Sequence, residues 1–485
     1  MLKATRFVLI AFTALLAIPA ATVHAAPRMP IGFFDDPSFR WSPNRSHNLR
    51  SAAITGASVI HTTATWPSLA PTKPANAANG DDPAYRLNDL DELVFQAGLY
   101  GLRVMVNVTG TPKWANGGKA RNVLPTRLGD LTAFTRMLAT RYSGGTGHGV
   151  VGLWSVWNEP NLQLFLTPQF SSVKTVTVVQ KAKNGKKIKV KKTTFKIVGP
   201  ANYAKLYRAA YAGIKAGNPA AKVAIGETSA RGRDKPLAGV SASVAPGTFA
   251  KLLAQQKGLK FDAWAHHPYP TSPNLPPLQK VRYPNVTLST LPKFEADLKK
   301  YFHRSVPIWI TEYGHETKPG EPHGVTPALQ AVYAKQALTI AKNDLNVQMF
   351  IWFVFRDSAG NPWQSGLFAA NGAQKLAYNQ FGAVARLIDG TTVTTKPGVS
   401  PRVTMYVPYL SHYAAPGAAI GMTYRVYDGS KAIAVGQPVA PLNLDQSITF
   451  TPVFTPVKGH TYTVTAIANE QSGHTEQRTA TVRVV

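Results

Sequence analysis

From Pro30 to about Gly390 the chain alternates short apolar runs with stretches whose apolar residues recur every three to four positions. The apolar runs are Ile31–Phe34, Ala57–Thr62, Leu102–Val108, Val150–Trp157, Lys222–Ile225, Ala263–His267, Pro307–Thr311 and Gln348–Phe353. They are apolar nearly throughout, as strands covered on both faces are. Between them, Asp89–Tyr100 sets Leu90, Leu93, Val94 and Ala97 on one helical face. Leu131–Tyr142, Tyr203–Ala216, Leu291–Phe302 and Gln330–Ala341 share that period. Eight strand–helix units over roughly 360 residues predict an α/β fold, a (β/α)8 TIM barrel with enlarged loops. An open, doubly wound sheet is the alternative.

The pattern changes after Gly390. Residues 391–401 are rich in Thr, Pro, Gly and Ser and read as a linker. From 402 to 485 apolar and polar residues alternate with no helical period, which predicts a small all-β sandwich of the immunoglobulin or fibronectin kind. All nine Trp precede it, so a packing or spacer role is expected there ahead of aromatic carbohydrate binding. Inside the barrel region, two β-like runs flank Asn184-Gly185, a hairpin signal of the type I′ kind. Residues 174–198 are therefore expected to form a projecting β-hairpin. It holds nine lysines and no acid.

The first 25 residues read as a secretory signal, with Lys3 and Arg6 ahead of an apolar run broken at Pro19. The barrel domain is then residues 26–390, in a protein expected to be secreted or held at the cell envelope. No later run is long and apolar enough to span a membrane. Cysteine is absent, which removes disulfides, thiolate metal sites and a cysteine nucleophile. The formal charge of +29 points to a polyanion as neighbour or ligand. No nucleic-acid motif accompanies that charge.

Two segments carry chemistry. Trp154-Ser155-Val156-Trp157-Asn158-Glu159-Pro160 ends an apolar strand in a glutamate followed by proline. Ile308-Trp309-Ile310-Thr311-Glu312-Tyr313-Gly314 does the same, with a glycine to permit a turn. In a barrel, C-terminal strand ends face the active site. Two carboxyls converging there suit glycoside hydrolysis, in which one gives a proton to the leaving oxygen and the other stays charged. His266 and His267 are adjacent on a strand and so face opposite ways, which argues against a shared metal. Glu227 also ends a strand, as a cleft-wall or structural residue, and Glu316 is expected in a loop. Gly147–Gly152 matches a dinucleotide motif but precedes a strand instead of following one.

Trp157-Asn158-Glu159-Pro160 and Ile310-Thr311-Glu312-Tyr313-Gly314 resemble the fourth and seventh catalytic strands of clan A glycoside hydrolases, towards families 39 and 5. Ala265-His266-His267-Pro268-Tyr269 and Ile351-Trp352-Phe353 resemble that clan's sixth and eighth strand ends. The resemblance implies Glu159 as general acid/base and Glu312 as nucleophile, with retention and carboxyls ~5 Å apart. It further implies that Asn158 binds a sugar hydroxyl, Tyr269 supports the nucleophile, His267 lines the floor and Trp352 stacks on the sugar. It implies a carbohydrate substrate, with no cofactor and no metal. The basic hairpin adds an anionic polysaccharide or cell-wall polymer as a candidate. Trp66, Trp114 and Trp363, in loops after the second, third and eighth strands, are candidate sugar platforms, with loop packing as the alternative. The clan's strand-two arginine is replaced by a region containing His61. A transglycosidase, or a glycan-binding protein on a barrel scaffold, are the alternatives.

Overall fold

A computed structural model of the chain describes residues 29–359, 363–379, 392–407, 409–471 and 473–485. The signal segment 1–25 and residues 380–391 at the end of the barrel region lie outside the described residues.

Eight parallel strands form a closed barrel. They are β1 (Ile31–Phe34), β2 (Val59–Thr65), β3 (Arg103–Thr109), β4 (Leu153–Val156), β7 (Lys222–Ser229), β8 (Ala263–His267), β9 (Ile308–Tyr313) and β10 (Val347–Phe353). The strands numbered between, β5 (Phe170–Lys181) and β6 (Lys187–Ile197), form a separate antiparallel hairpin. Around the barrel the order is β1-β10-β9-β8-β7-β4-β3-β2, and β2 closes onto β1. All eight predicted strands are present. The covering helices are α1 (Arg45–Ile54), α2 (Asn88–Leu99), α3 (Leu128–Arg141), α4 (Gly199–Gly217), α5 (Pro246–Ala254), α6 (Leu291–Phe302) and α7 (Pro327–Asn343). Two of these, α1 and α5, were not anticipated, because one carries more polar than apolar residues and the other is only nine residues long.

Alternation along the strands divides the core in two. Val59, Met105, Leu153, Ala224, Ala263, Ala265, Trp309, Met349 and Ile351 fill the barrel interior. Their sequence neighbours Ile60, Val104, Trp154, Val223, Trp264, Ile308 and Phe350 point outwards into the helix layer. Each fully buried large apolar side chain contributes about 1.5–3 kcal/mol. The interior cluster fills the lower barrel and leaves its upper end to polar side chains.

The hairpin extends beyond the predicted 174–198, since its strands start at Phe170 and pair from Phe170↔Ile197 to Lys181↔Lys187. Its turn is not a two-residue type I′ loop. Gly185 N donates to Ala182 O, Gly185 takes φ 81°, and Ala182 N donates to Lys186 O. That is a three-residue loop closed by a left-handed glycine.

After the barrel, β11 (Thr392–Thr395), β13 (Ala419–Asp428), β14 (Lys431–Gly436), β15 (Val439–Pro441), β17 (Thr461–Asn469) and β18 (Thr475–Val484) form one sheet, and β12 (Val403–Tyr406) and β16 (Ser447–Phe450) a second. Val403, Met405, Ile448 and Phe450 of the second sheet share a core with Met422, Tyr424, Val426 and Val464 of the first. The stretch read as a linker is in part structural. Thr392–Thr395 pairs in parallel with β18, because its Thr and Val residues are good strand formers next to an open sheet edge.

This second domain is seated on the bottom of the barrel. Leu444 packs against the interior cluster that includes Trp309 and Met349. The buried Arg103 donates to the carbonyls of Asn443 and Leu444. Gln446 is fully buried, and its amide donates to Ser58 O (3.1 Å) and Gly101 O (2.9 Å). Removing a buried donor strands its acceptors. Gln446→Ala is therefore expected to lower unfolding stability by about 2 kcal/mol. Urea titration checks this, and an unchanged midpoint would show that the contact is dispensable.

Candidate active site

The upper end of the barrel holds a cavity of about 500 Å3. Its wall includes Asn158 and Glu159 from the end of β4, Tyr269 after β8, Glu312 and Gly314 at β9, and Phe353 at β10.

The local sequence explains how each carboxyl arrives. Trp157 leaves β4 with φ 70° and Glu159 follows with φ 37°, both in the left-handed region. Such residues cost about 1 kcal/mol or more each and persist only where their surroundings fix them. Asn107 does this from β3, donating to Ser155 Oγ (2.9 Å) and to Trp157 O (2.7 Å). Pro160 then occupies the second position of a turn closed by Leu162 N donating to Glu159 O. At β9, Gly314 is required by closeness and not by a positive φ. A Cβ there would lie 2.3 Å from Phe353 O. On β7 a bulge between Gly226 and Thr228, with Glu227 at φ 46°, turns the Glu227 side chain into the barrel.

His267 joins these carboxyls. Its Nδ1 lies 3.2 Å from Glu159 Oε1 and 3.6 Å from Glu312 Oε2, and its Nε2 lies 2.8 Å from Glu227 Oε2. The two Nδ1 distances together cap the separation of the Glu159 and Glu312 oxygens. Both ring nitrogens face carboxylates, which only accept, so both carry protons and the ring is a cation. Burial opposes that charge, but Glu312, Glu159 and Glu227 together hold the His267 pKa well above its usual range. Burial also opposes charge on Glu227, yet the bond and charge of His267, with Ser155, hold it below the ordinary carboxyl range. Thr311 Oγ1 donates to the same Glu227 oxygen at 2.8 Å.

Glu312 is pushed up to about 7. Burial is the main cause, and the charge of His267 works against it. Glu159 and Glu227 push further up, while Tyr269, whose hydroxyl donates to Glu312 Oε2 at 3.2 Å, pulls down. Glu316 also lines the cavity and burial raises it to about 7, with help from Glu321 and Asp357.

Of the residues singled out from sequence, Glu159, Glu312, Asn158, Tyr269 and His267 come together here. His266 points the other way, to Thr228 and Val286 O, as its adjacency to His267 requires. Glu227, given either a cleft-wall or a structural role, lies beneath the cavity as the third carboxyl on His267. His61 is buried and neutral, its pKa lowered to about 4 mainly by burial, and its Nδ1 pairs with Thr311 O at 3.2 Å.

Three expected tryptophans are not in the site. Trp352 is fully buried in the helix layer, with Nε1 donating to Ser365 O at 2.8 Å. Successive strand residues face opposite ways, so Phe353 takes the cavity side. Trp66 is buried and stacks on Phe134 at 5.4 Å. Trp114 meets Trp66 edge-on and donates to Ala70 O, packing its loop down. Trp363, by contrast, lines the cavity with Phe34, Phe165, Tyr269 and Phe353. Sequence reasoning missed Phe34, Phe353, Phe165 and Arg231. Strand parity was the available signal for the first two.

The fold is similar to that of a solved glycoside hydrolase. A family 39 glycoside hydrolase from Bacteroides cellulosilyticus WH2 superposes with a TM-score of 0.52 at 15% identity, over 88% of this chain and 81% of that one. Xylanase 10B of Thermotoga maritima gives 0.46 at 16% identity over 74% and 95%. A Bacteroidetes-affiliated family 5 cellulase gives 0.46 at 15% over 74% and 92%. At such identities the likeness is one of fold. No protein-family model and no curated protein matches the chain.

The Glu312 shift has a consequence for stability. A carboxyl whose folded pKa exceeds its unfolded value favours folding most fully below about 4.5, and that contribution is gone above about 7. Glu312→Gln is therefore expected to gain in thermal midpoint relative to the parent as pH rises from 5 to 8. Parallel midpoint curves would refute a buried, raised carboxyl at this position.

Proposed function

We propose that the protein is a secreted, retaining glycoside hydrolase that cleaves O-glycosidic bonds by double displacement. The observation that carries this reading is the pair Glu159 and Glu312, delivered from separate strand ends to one cavity and set on one protonated histidine. The barrel shared with the family 39 hydrolase agrees with it.

In the first step Glu159 gives its proton to the glycosidic oxygen as Glu312 attacks the anomeric carbon. In the second, Glu159 takes a proton from water as that water displaces Glu312. Tyr269 and His267 favour charge on Glu312, which supports it as nucleophile. Glu159 sits on the rim turn, where a leaving group would pass. Asn158 beside it suits a sugar hydroxyl, and Trp363 and Phe353 offer flat faces to the ring. None of these steps calls for a cofactor or a metal. An acceptor sugar in place of water would make the same site a transglycosidase.

Glu159→Gln and Glu312→Gln are each expected to lower kcat on aryl glycosides by about a thousandfold or more. Activity within about tenfold of the parent would overturn the assignment. The chemistry needs one proton between the two carboxyls. The empty pocket holds one at Glu312 up to about 7, a value set partly by the charge of Glu159. Above that pH Glu312 is ionised and that proton is lost from the pair. The kcat/KM profile is expected to fall as pH rises through about 7, and a rate still climbing at pH 8 would contradict the pairing.

A further inference from the structure

The rim of the barrel is electrically lopsided. The loops that follow β3, β4 and β7 span residues 110–127, 160–198 and 230–245, and together they hold sixteen Lys and Arg and one acid, Asp234. All sixteen cations are exposed, and none forms an ion pair with another described residue. Asp234 is occupied, accepting from Ala245 N and Thr248 Oγ1. The loop after β8 adds only Lys280 and Arg282, whereas after β9 and β10 the charges are mixed, with Glu316, Glu321 and Asp357 beside Lys318 and Lys375.

The three loops are bonded into one surface. Thr167 N donates to Asn122 O, and Asn122 Nδ2 to Gln163 O, tying the β3 loop to the β4 loop. Gln163 N donates to Ala242 O and its side chain accepts from Ala242 N, tying the β4 loop to the β7 loop. Asn161 accepts from Ser229 N at the base of the same junction. The arc reaches the cavity itself, because Leu164, Phe165 and Arg231 line its wall with Glu159. It ends outward in the hairpin. There the register places Lys181, Lys187, Lys189 and Lys191 on one face, with roughly 6.6–6.8 Å between alternate residues of a strand.

Unpaired cations crowded on one side repel each other and offer nothing to the fold. Their continuity with the carboxyl cavity ties them to what enters it. We propose that the substrate is an anionic polysaccharide, its chain lying along this arc. Arg231 takes a carboxylate on a sugar close to the scissile bond, and the hairpin lysines hold the polymer beyond the cleft. A planar guanidinium in a cavity wall suits a carboxylate, and mobile lysines suit a diffuse polyanion. This rests on the glycosidase reading and names the class of glycan.

The test is affinity electrophoresis of the full chain carrying Glu312→Gln, so that binding is read without turnover. The matrices are a carboxylated polysaccharide, its neutral carboxyl-reduced counterpart, duplex DNA and anionic phospholipid vesicles. Retention is expected on the carboxylated polymer alone, lost as salt rises. In the same background, Lys187→Glu/Lys189→Glu/Lys191→Glu is expected to weaken it about tenfold or more. Lys299→Glu/Lys300→Glu/Lys342→Glu, with the same change of charge on α6 and α7, should leave it within about twofold. In the otherwise parental chain, Arg231→Ala should raise KM for carboxylated oligosaccharides more than for neutral ones. Equal retention on the neutral polymer, equal loss in both triple variants, or tighter binding to DNA or vesicles would overturn the proposal. Hydrolysis of neutral glycosides without retention would sink it and leave the glycosidase reading intact. Retention without any hydrolysis by the parent would sink the glycosidase reading and the substrate assignment with it, leaving the arc a polysaccharide-binding surface.

Discussion

A buried imidazolium is the fixed point of this site. His267 sits in the barrel with carboxylates at both ring nitrogens. A buried charge of this kind is tolerated only when its partners are in place, and removing one partner leaves the other uncompensated. That requirement reaches backwards into the fold. It accounts for the bulge that turns Glu227 inwards, the Thr311 hydroxyl that completes Glu227, and the bonds from Asn107 that hold the kinked end of β4. It reaches forwards too, since the two of its carboxyl partners that face the cavity, Glu159 and Glu312, are those the proposed chemistry uses.

The lower barrel has a different logic. Below the polar cluster the interior is apolar, and Trp309 and Met349 fill it together with Leu444 of the second domain. The C-terminal sheets thus act as a stopper on the end away from the cavity, fixed through Arg103 and Gln446. That placement separates stability at the bottom from chemistry at the top, as barrels of this kind commonly do.

Much of this was legible in the sequence. The eight strands were, because strands buried on both faces read as short apolar runs. The convergence of Glu159 and Glu312 on one cavity was, because each ends an apolar run and barrel strands deliver their C-terminal ends to one side. Trp352 was misassigned although the strand held the answer, since facing alternates and Phe353, one residue on, takes the cavity side. The joint role of Glu227 and His267 was not legible, because the bulge that aims Glu227 is a backbone irregularity with no local signature beyond Gly226. The seating of the second domain joins positions more than 300 residues apart, such as Gln446 and Gly101, and no period along the chain encodes that. The basic hairpin was plain from its lysines. Its bonding to the cavity wall through Gln163 and Asn161 was not.

What decides the mechanism most directly is which carboxyl becomes covalently linked to the sugar. The measurement is mass spectrometry of peptides after exposure to activated 2-deoxy-2-fluoro glycosides, which let the first step proceed and stall the second. One glycosyl unit on the peptide holding Glu312, absent in Glu312→Gln and with Glu159 unmodified, is the predicted result. A label on Glu159, or steady turnover with inversion and no label at all, would contradict it.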